Sequence, residues 1–308
     1  MSFRFHRRES VSKAVRCLAQ KQIKKALCCL DQPSDPEAIH QVRTSIKKLR
    51  ALLHLARPAL PGTPYRRALK ALHAAAQCLA PPRDASVKLK ALNEVLKHFR
   101  QKPSSPAVRR FRSGLQRRSE QEAAKFIEER RHETVRAMFQ RLSEQLADLS
   151  FKCKGWSAIG PGLESAYRAG RRDFHAAVKT PSAEQFHRWR KHAKILWYQV
   201  QTLRPVWPEQ VCALADELKS LGEYLGDDHD LVLLRNAAAP MTQSKSPPRA
   251  LEALIGMIDR RESQLRSAAL QLGARLYAEK PGAFCERLCR YWRLWRSGKR
   301  RKALTTRA

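Results

Sequence analysis

The sequence predicts an all-α protein, and three observations carry that expectation. Apolar residues recur at spacings of three and four through most of the chain, the rhythm of a helix with one buried side. No stretch alternates apolar and polar residues as a strand would, and glycine is scarce, at 12 residues in 308. The periodic segments are separated by prolines and short polar turns, which are helix punctuation.

Taken in order, residues 9 to 30 form the first helix. Val15, Leu18, Ile23, Ala26 and Leu30 give it an apolar side, and Lys21, Lys24 and Lys25 face elsewhere. Ser34-Asp35-Pro36-Glu37 has the form of a capping box and starts a second helix that runs to Pro58. Tyr65 to Leu79 is a third helix, broken by Pro81-Pro82; Asp84 to Arg100 is a shorter fourth. Pro106 to Leu149 reads as one long charged helix. Lys152 to Gly162, with Gly155, Gly160 and Pro161, is expected to be a linker. Beyond it come a basic helix from Leu163 to Val178, a helix that ends at Pro205, a helix from Gln210 to Leu225 and a short one from Asp230. A polar loop from Pro240 to Pro248, a long helix to Tyr277 and a last helix from Phe284 to Trp295 complete the order. The basic tail from Gly298, residues 299–308 above all, is expected to be disordered.

The second helix carries two stripes. Ile39, Val42, Ile46, Leu49, Leu53 and Ala56 form an apolar face. One residue on, His40, Arg43, Lys47, Arg50, His54 and Arg57 repeat in the same rhythm and form a cationic stripe directly beside it. No carboxylate interrupts that stripe. Aligned cations repel one another unless an anion lies between them, so the stripe is read as a binding surface; a solvated helix face, the ordinary origin of charge runs, would mix both signs.

The pattern occurs twice. Phe186, Trp189, Ala193, Leu196, Val200 and Leu203 repeat the apolar stripe, and His187, Arg190 and Lys194 match His40, Arg43 and Lys47 without a shift. Lys191 adds a charge where the first copy has Thr44, and Trp197 stands in place of Arg50. Upstream, Lys21, Lys24 and Lys25 precede His40 by 19, 16 and 15 residues, and Arg168, Arg171 and Arg172 precede His187 by the same three distances. Downstream, Arg83-Asp84 follows His40 by 43 and 44 residues, and His229-Asp230 follows His187 by 42 and 43. The chain is therefore read as an internal duplication, with repeats at about 8–150 and 163–297.

Lysine and arginine number 61 against 28 acidic residues, a net charge of +33. Such an excess implies a polyanionic partner, and by charge alone polyphosphate, nucleic acid and an anionic membrane are all admitted. The 43% hydrophobic content is enough for a real core, and no run of 18 apolar residues suggests a membrane span. The N-terminus MSFRFHRRES has no apolar signal region, and the eight cysteines read as reduced thiols; both point to a cytoplasmic protein.

The repeated H-x-x-R-x-x-x-K/R pattern, the basic group upstream of it and Leu225-Gly226-Asp227-Asp228-His229-Asp230 downstream resemble a CHAD domain, the conserved-histidine α-helical domain. The first half keeps Leu79 and Asp84 of the last element and lacks its glycine. The resemblance covers about residues 8–298. It implies two helical bundles related by a pseudo-two-fold axis. Facing basic helices line a central channel that binds inorganic polyphosphate, without catalysis and without a cofactor. Carried onto this chain, the channel residues are Lys21, Lys24, Lys25, His40, Arg43, Lys47, Arg50, Arg168, Arg171, Arg172, His187, Arg190, Lys191 and Lys194. Arg117, Arg118, Arg260 and Arg261 on the long helices form a second rank. Location at cytoplasmic polyphosphate granules follows from the resemblance alone, and nothing in the sequence gives an oligomeric state.

Competing readings differ in what they need. A nucleic-acid binder is the main alternative; only 7% of residues are aromatic and no RNA-recognition or zinc-finger motif is present. An enzyme acting on polyphosphate would need a phosphate loop or paired acids, and neither is found. His40 and His187 lack a second ligand at helical spacing, so no metal is expected there. Asp84 and Asp230 are read as helix caps or as partners that fix a buried arginine.

Overall fold

The computed structural model describes residues 3–102, 105–242 and 248–298. Among these the chain is helical throughout and contains no strand. The α-helices are α1 (Val11–Cys29), α2 (Pro36–Ala56), α3 (Gly62–Cys78), α4 (Ala80–His98), α5 (Pro106–Glu128), α6 (Arg131–Ala147), α7 (Gly160–Lys179), α8 (Ala183–Leu203), α9 (Pro208–Thr242), α10 (Arg249–Leu276) and α11 (Pro281–Ser297). None is long and apolar enough to cross a membrane.

Helices α2 and α8 pack against each other at the centre, with α1 laid on α2 and α7 on α8. Every residue of the two apolar stripes is buried, including Leu49, Leu53, Trp189 and Leu196. Full burial of a leucine contributes about 1.5–3 kcal/mol, so the two stripes anchor α2 and α8 in the core. The principal core joins α1, α2, α3 and α6 to α7, α8, α11 and the start of α9. A second core lies where α4 and α5 meet the far half of α9 and α10. Both cores draw on both halves of the chain.

Several boundaries differ from the sequence expectation. Asp35 alone caps α2, its Oδ1 accepting from Glu37 N at 2.8 Å, while the Glu37 carboxylate accepts from Gln41. Pro81-Pro82 do not break a helix; they sit in the first turn of α4, where an absent N–H is no loss. The long helix expected over 106–149 is two, because Arg130 adopts φ 53, a left-handed conformation that stops α5 and redirects the chain into α6. Conversely, α9 is one helix of 35 residues where two were expected; Gly226 lies within it, and Pro240 is tolerated because it falls in the last turn. The start of the expected loop, residues 240–242, belongs to α9, and residues 243–247 lie outside the described residues, as does the tail 299–308.

The expected linker is also shorter. Residues 155–158 form a 3-10 turn and α7 already begins at Gly160. Gly162 is set by close approach and not by a turn: a Cβ there would lie 2.1 Å from the carbonyl oxygen of Leu55 on α2.

Candidate functional site

Helices α2 and α8 meet at the centre, where Gln199 Nε2 donates to the Ala51 carbonyl at 3.2 Å, and their cationic stripes come together beside this contact. Arg43 and Lys47 stand one turn apart on α2, and Arg190 and Lys194 one turn apart on α8. Burial is the first cause that pushes the Lys47 ammonium down to about 7, and repulsion from Arg190, Arg43, Lys194 and Arg83 adds to it. Lys194 is lowered to about 8 by burial and then by Arg190, with Glu223 and Asp227 opposing. Burial also lowers Arg43 and Arg190. These side chains thus form one cluster of half-buried, mutually repelling cations. Arg43 donates from Nη1 to the carbonyl of Ala76 at 3.2 Å, whereas Nε of Arg190 is buried with no protein acceptor. The ammonium of Lys194 lies 4.7 Å from the Trp197 ring centre. Gly222 on α9 leaves the space that Lys194 fills, since a Cβ there would come within 2.9–3.0 Å of its Cδ, Cε and Nζ.

Helix α4 closes the cluster from the other side. Arg83 reaches Asp230 on α9 at 3.9 Å, an ion pair between the two halves of the chain. Burial raises the Asp230 carboxyl, and Arg83, Arg190, Lys47 and Lys90 act against that rise. Next to this pair is a cleft of about 460 Å³ between α4, α9 and α10, lined by Lys90, Lys97, His98, Arg261, Asp227 and Asp230 among others. Arg83 and Lys90 are therefore site residues that the sequence-based set omits. The signal was present: Arg83, Lys90 and Lys97 are seven residues apart, which is one face of a helix. Asp230 is not a helix cap, being internal to α9; as a partner for Arg83 it fits the other half of that expectation. Asp228 points away from the cluster and holds Arg266 at 2.6 Å.

The other expected residues divide clearly. His187 meets His229 with their Nδ1 atoms 3.1 Å apart, and burial followed by Arg190 drives His229 down to about 3, so that ring is neutral at pH 7. His40 is exposed on α2, and Lys191 is exposed beside the histidine pair. Lys21, Lys24 and Lys25 are exposed on α1, and Lys25 donates to Gln41 at 2.7 Å. Arg50 turns toward His54 and Tyr65. On α7, Arg168 pairs with Glu164, Arg171 donates to the Tyr277 carbonyl at 3.1 Å, and Arg172 holds the buried Asp173 at 3.2 Å. Arg117 and Arg118 are exposed on α5; Arg118 borders a different groove with Lys88 and Arg110. Arg260 lies over the Phe99 ring, while Arg261 lines the cleft beside Asp227.

The architecture is thus an all-helical fold, and proteins of known structure share it. PptA from Streptomyces chartreusis superposes with a TM-score of 0.64 over 88% of this chain and 100% of that one, at 16% identity. The CHAD domain from the plant Ricinus communis does so with a TM-score of 0.56 over 90% and 95%, at 18% identity. No curated protein matches the sequence significantly. The sequence model of the CHAD domain matches residues 16–239, well over half of the 308. The chain belongs to the CHAD domain family.

Proposed function

We propose that this protein binds inorganic polyphosphate in the cation cluster between α2, α8 and α4, and that it does so without catalysing a reaction. Polyphosphate binding is a known feature of the family. The observation that carries the reading for this chain is Arg190: a guanidinium with a buried, unpartnered Nε, surrounded by Lys47, Lys194, Arg43 and Arg83. A buried polar group without a partner costs about 1–3 kcal/mol, and a phosphate oxygen supplies the acceptor that this Nε lacks, while the phosphate charge adds to the one carboxylate, Asp230, that Arg190 shares with Arg83. Lysine contributes a point charge and arginine a fork, so a flexible row of phosphates is met along its length. The cleft at Lys90 and Arg261 continues the path toward α10. Association with polyphosphate granules in the cytoplasm is part of the same proposal.

The test is binding of long-chain polyphosphate to the protein and to a variant with Arg43, Lys47, Arg190 and Lys194 all replaced by alanine. The variant is expected to lose at least about 1,000-fold in affinity at unchanged helicity, taking a little over 1 kcal/mol for each charge-assisted contact. Affinity of the parent should fall steeply with salt as counterions are released. Retained binding by the variant, or equal competition by single-stranded RNA, would reject the assignment; the second outcome is the one a nucleic-acid binder predicts.

A further inference from the structure

Cations gather without acids at a second place, the opposite end of α1. A cavity of about 460 Å³ opens there between the start of α1, the segment 151–155 and the end of α11. Ser10, Ser12, Arg16, Phe151, Lys154 and Arg296 are among its walls, and none of the described lining residues is a carboxylate. Arg16 donates from Nη1 to the carbonyl of Leu149 at 3.3 Å, and Arg296 donates to the carbonyl of Arg7. The Arg296 guanidinium also lies over the rings of Trp292 and Trp295, at 5.0 and 5.9 Å. Both groups are fixed in place by neutral partners, so their charge is held but not cancelled.

Some arginines elsewhere on this surface are neutralised by a carboxylate. Arg136 meets Asp31, Arg204 meets Asp216 and Arg287 meets Glu279. The cavity instead gathers cations from three separate segments, and two of them, Arg16 and Arg296, are anchored by neutral groups. The start of α1 adds the positive end of its dipole and the hydroxyls of Ser10 and Ser12, which lie 3.3 Å apart. Phe151 supplies a half-buried aromatic wall. Ser10 and Lys24 are 14 residues apart, about 20 Å along a helix, so this is a different place from the basic end of α1.

We infer that this cavity is a second anion site, one that takes the phosphates of a small di- or triphosphate. Three cations match the charge of a diphosphate. Inorganic diphosphate and a nucleoside diphosphate present that same group and differ in whether Phe151 is used.

The experiment is calorimetric titration of pyrophosphate and of ADP into the full chain carrying Lys47→Ala and Arg190→Ala, which weakens the α2–α8 cluster. Lys154→Glu and Ser12→Glu are then added, with Lys152→Glu as a control on the same segment outside the cavity. Lys154 is exposed and Ser12 bonds only to Ser10 Oγ, so neither change disturbs the core; thermal melts verify this. Pyrophosphate binding is expected to survive in the parent variant, to weaken at least tenfold with Lys154→Glu or Ser12→Glu, and to change less than twofold with Lys152→Glu. ADP binding several-fold tighter than pyrophosphate would assign the nucleoside to the Phe151 wall, and equal binding would assign the site to the phosphates alone. Absence of residual binding overturns the inference, and so does equal sensitivity to Lys152→Glu and Lys154→Glu.

Discussion

Helices α7 and α8 are neighbours and both are rich in cations, yet their charges meet opposite fates. On α7, Arg168 has Glu164, Arg171 has the Tyr277 carbonyl and Arg172 has Asp173. On α8, Arg190 keeps an unpartnered Nε, and Lys194 is lowered to about 8, first by burial and then by Arg190. In a chain of net charge +33, the presence of a cation says little about binding. What matters is whether the fold has already supplied its counter-charge. Arg168 and Arg172 are paired within α7 and Arg171 ties it to the end of α10, whereas Arg190 shares Asp230 with Arg83 and keeps its Nε without an acceptor.

The sharpest way to break this comparison is to delete two charges from each helix set. Lys47→Ala with Arg190→Ala is expected to weaken polyphosphate binding by about 30-fold, while Arg168→Ala with Arg172→Ala should change it by less than about threefold. Stability should move the other way. Removing mutually repelling half-buried cations should raise the melting temperature of the ligand-free protein by a few degrees, whereas loss of Arg172 removes a partner of a fully buried carboxylate and should lower it. Equal losses of binding from the two pairs would show that the contrast is false.

Protonation gives the next effect in size. In the free protein Lys47 titrates near 7 and Lys194 near 8, against an ordinary value of 10.5. A phosphate chain seated between them would return both toward that value. Binding at pH 8 should therefore take up between about one and two protons, and affinity should rise as pH falls from 9 to 7. Calorimetry in two buffers of different ionisation enthalpy reads the uptake directly, and Lys47→Arg should reduce it. For the ligand-free fold the sign is opposite: the unfolded chain holds the Lys47 proton up to 10.5 and the folded chain only to about 7, so stability from this group rises with pH across that window.

Legibility in the sequence followed the range of the interaction. The apolar stripes of α2 and α8 are local periodicities, and their burial follows from the spacing of residues such as Val42, Ile46, Leu49, Trp189 and Leu196. Arg43, Lys47, Arg190 and Lys194 were readable because each stands one residue beyond such a stripe. The α7 arginines were placed with them on sequence distance alone, and nothing local shows that Arg171 would meet a carbonyl 106 residues away. Arg130 ends α5 in a left-handed conformation that a glycine or asparagine would have announced and an arginine does not. The continuity of α9 through Gly226 was hidden for the converse reason, since a glycine that merely borders Arg190 looks the same in sequence as one that ends a helix.

The smallest predicted effect separates site geometry from fold, and it uses two glycines. At Gly162 an added Cβ meets backbone, the Leu55 carbonyl at 2.1 Å, which cannot yield without parting α7 from α2. At Gly222 it meets the far end of the flexible Lys194 side chain, at 2.9–3.0 Å. Gly162→Ala should therefore reduce the yield of folded protein. Gly222→Ala should leave the melting temperature within a degree or two, since a lysine can swing aside and alanine is the better helix former by about 1 kcal/mol. The displaced ammonium would no longer sit beside Arg190, so polyphosphate affinity should drop about three- to tenfold, as for one weakened charged contact. A Gly222→Ala protein with full affinity would place Lys194 outside the bound chain's path and would confine the site to Arg43, Lys47, Arg190 and Arg83.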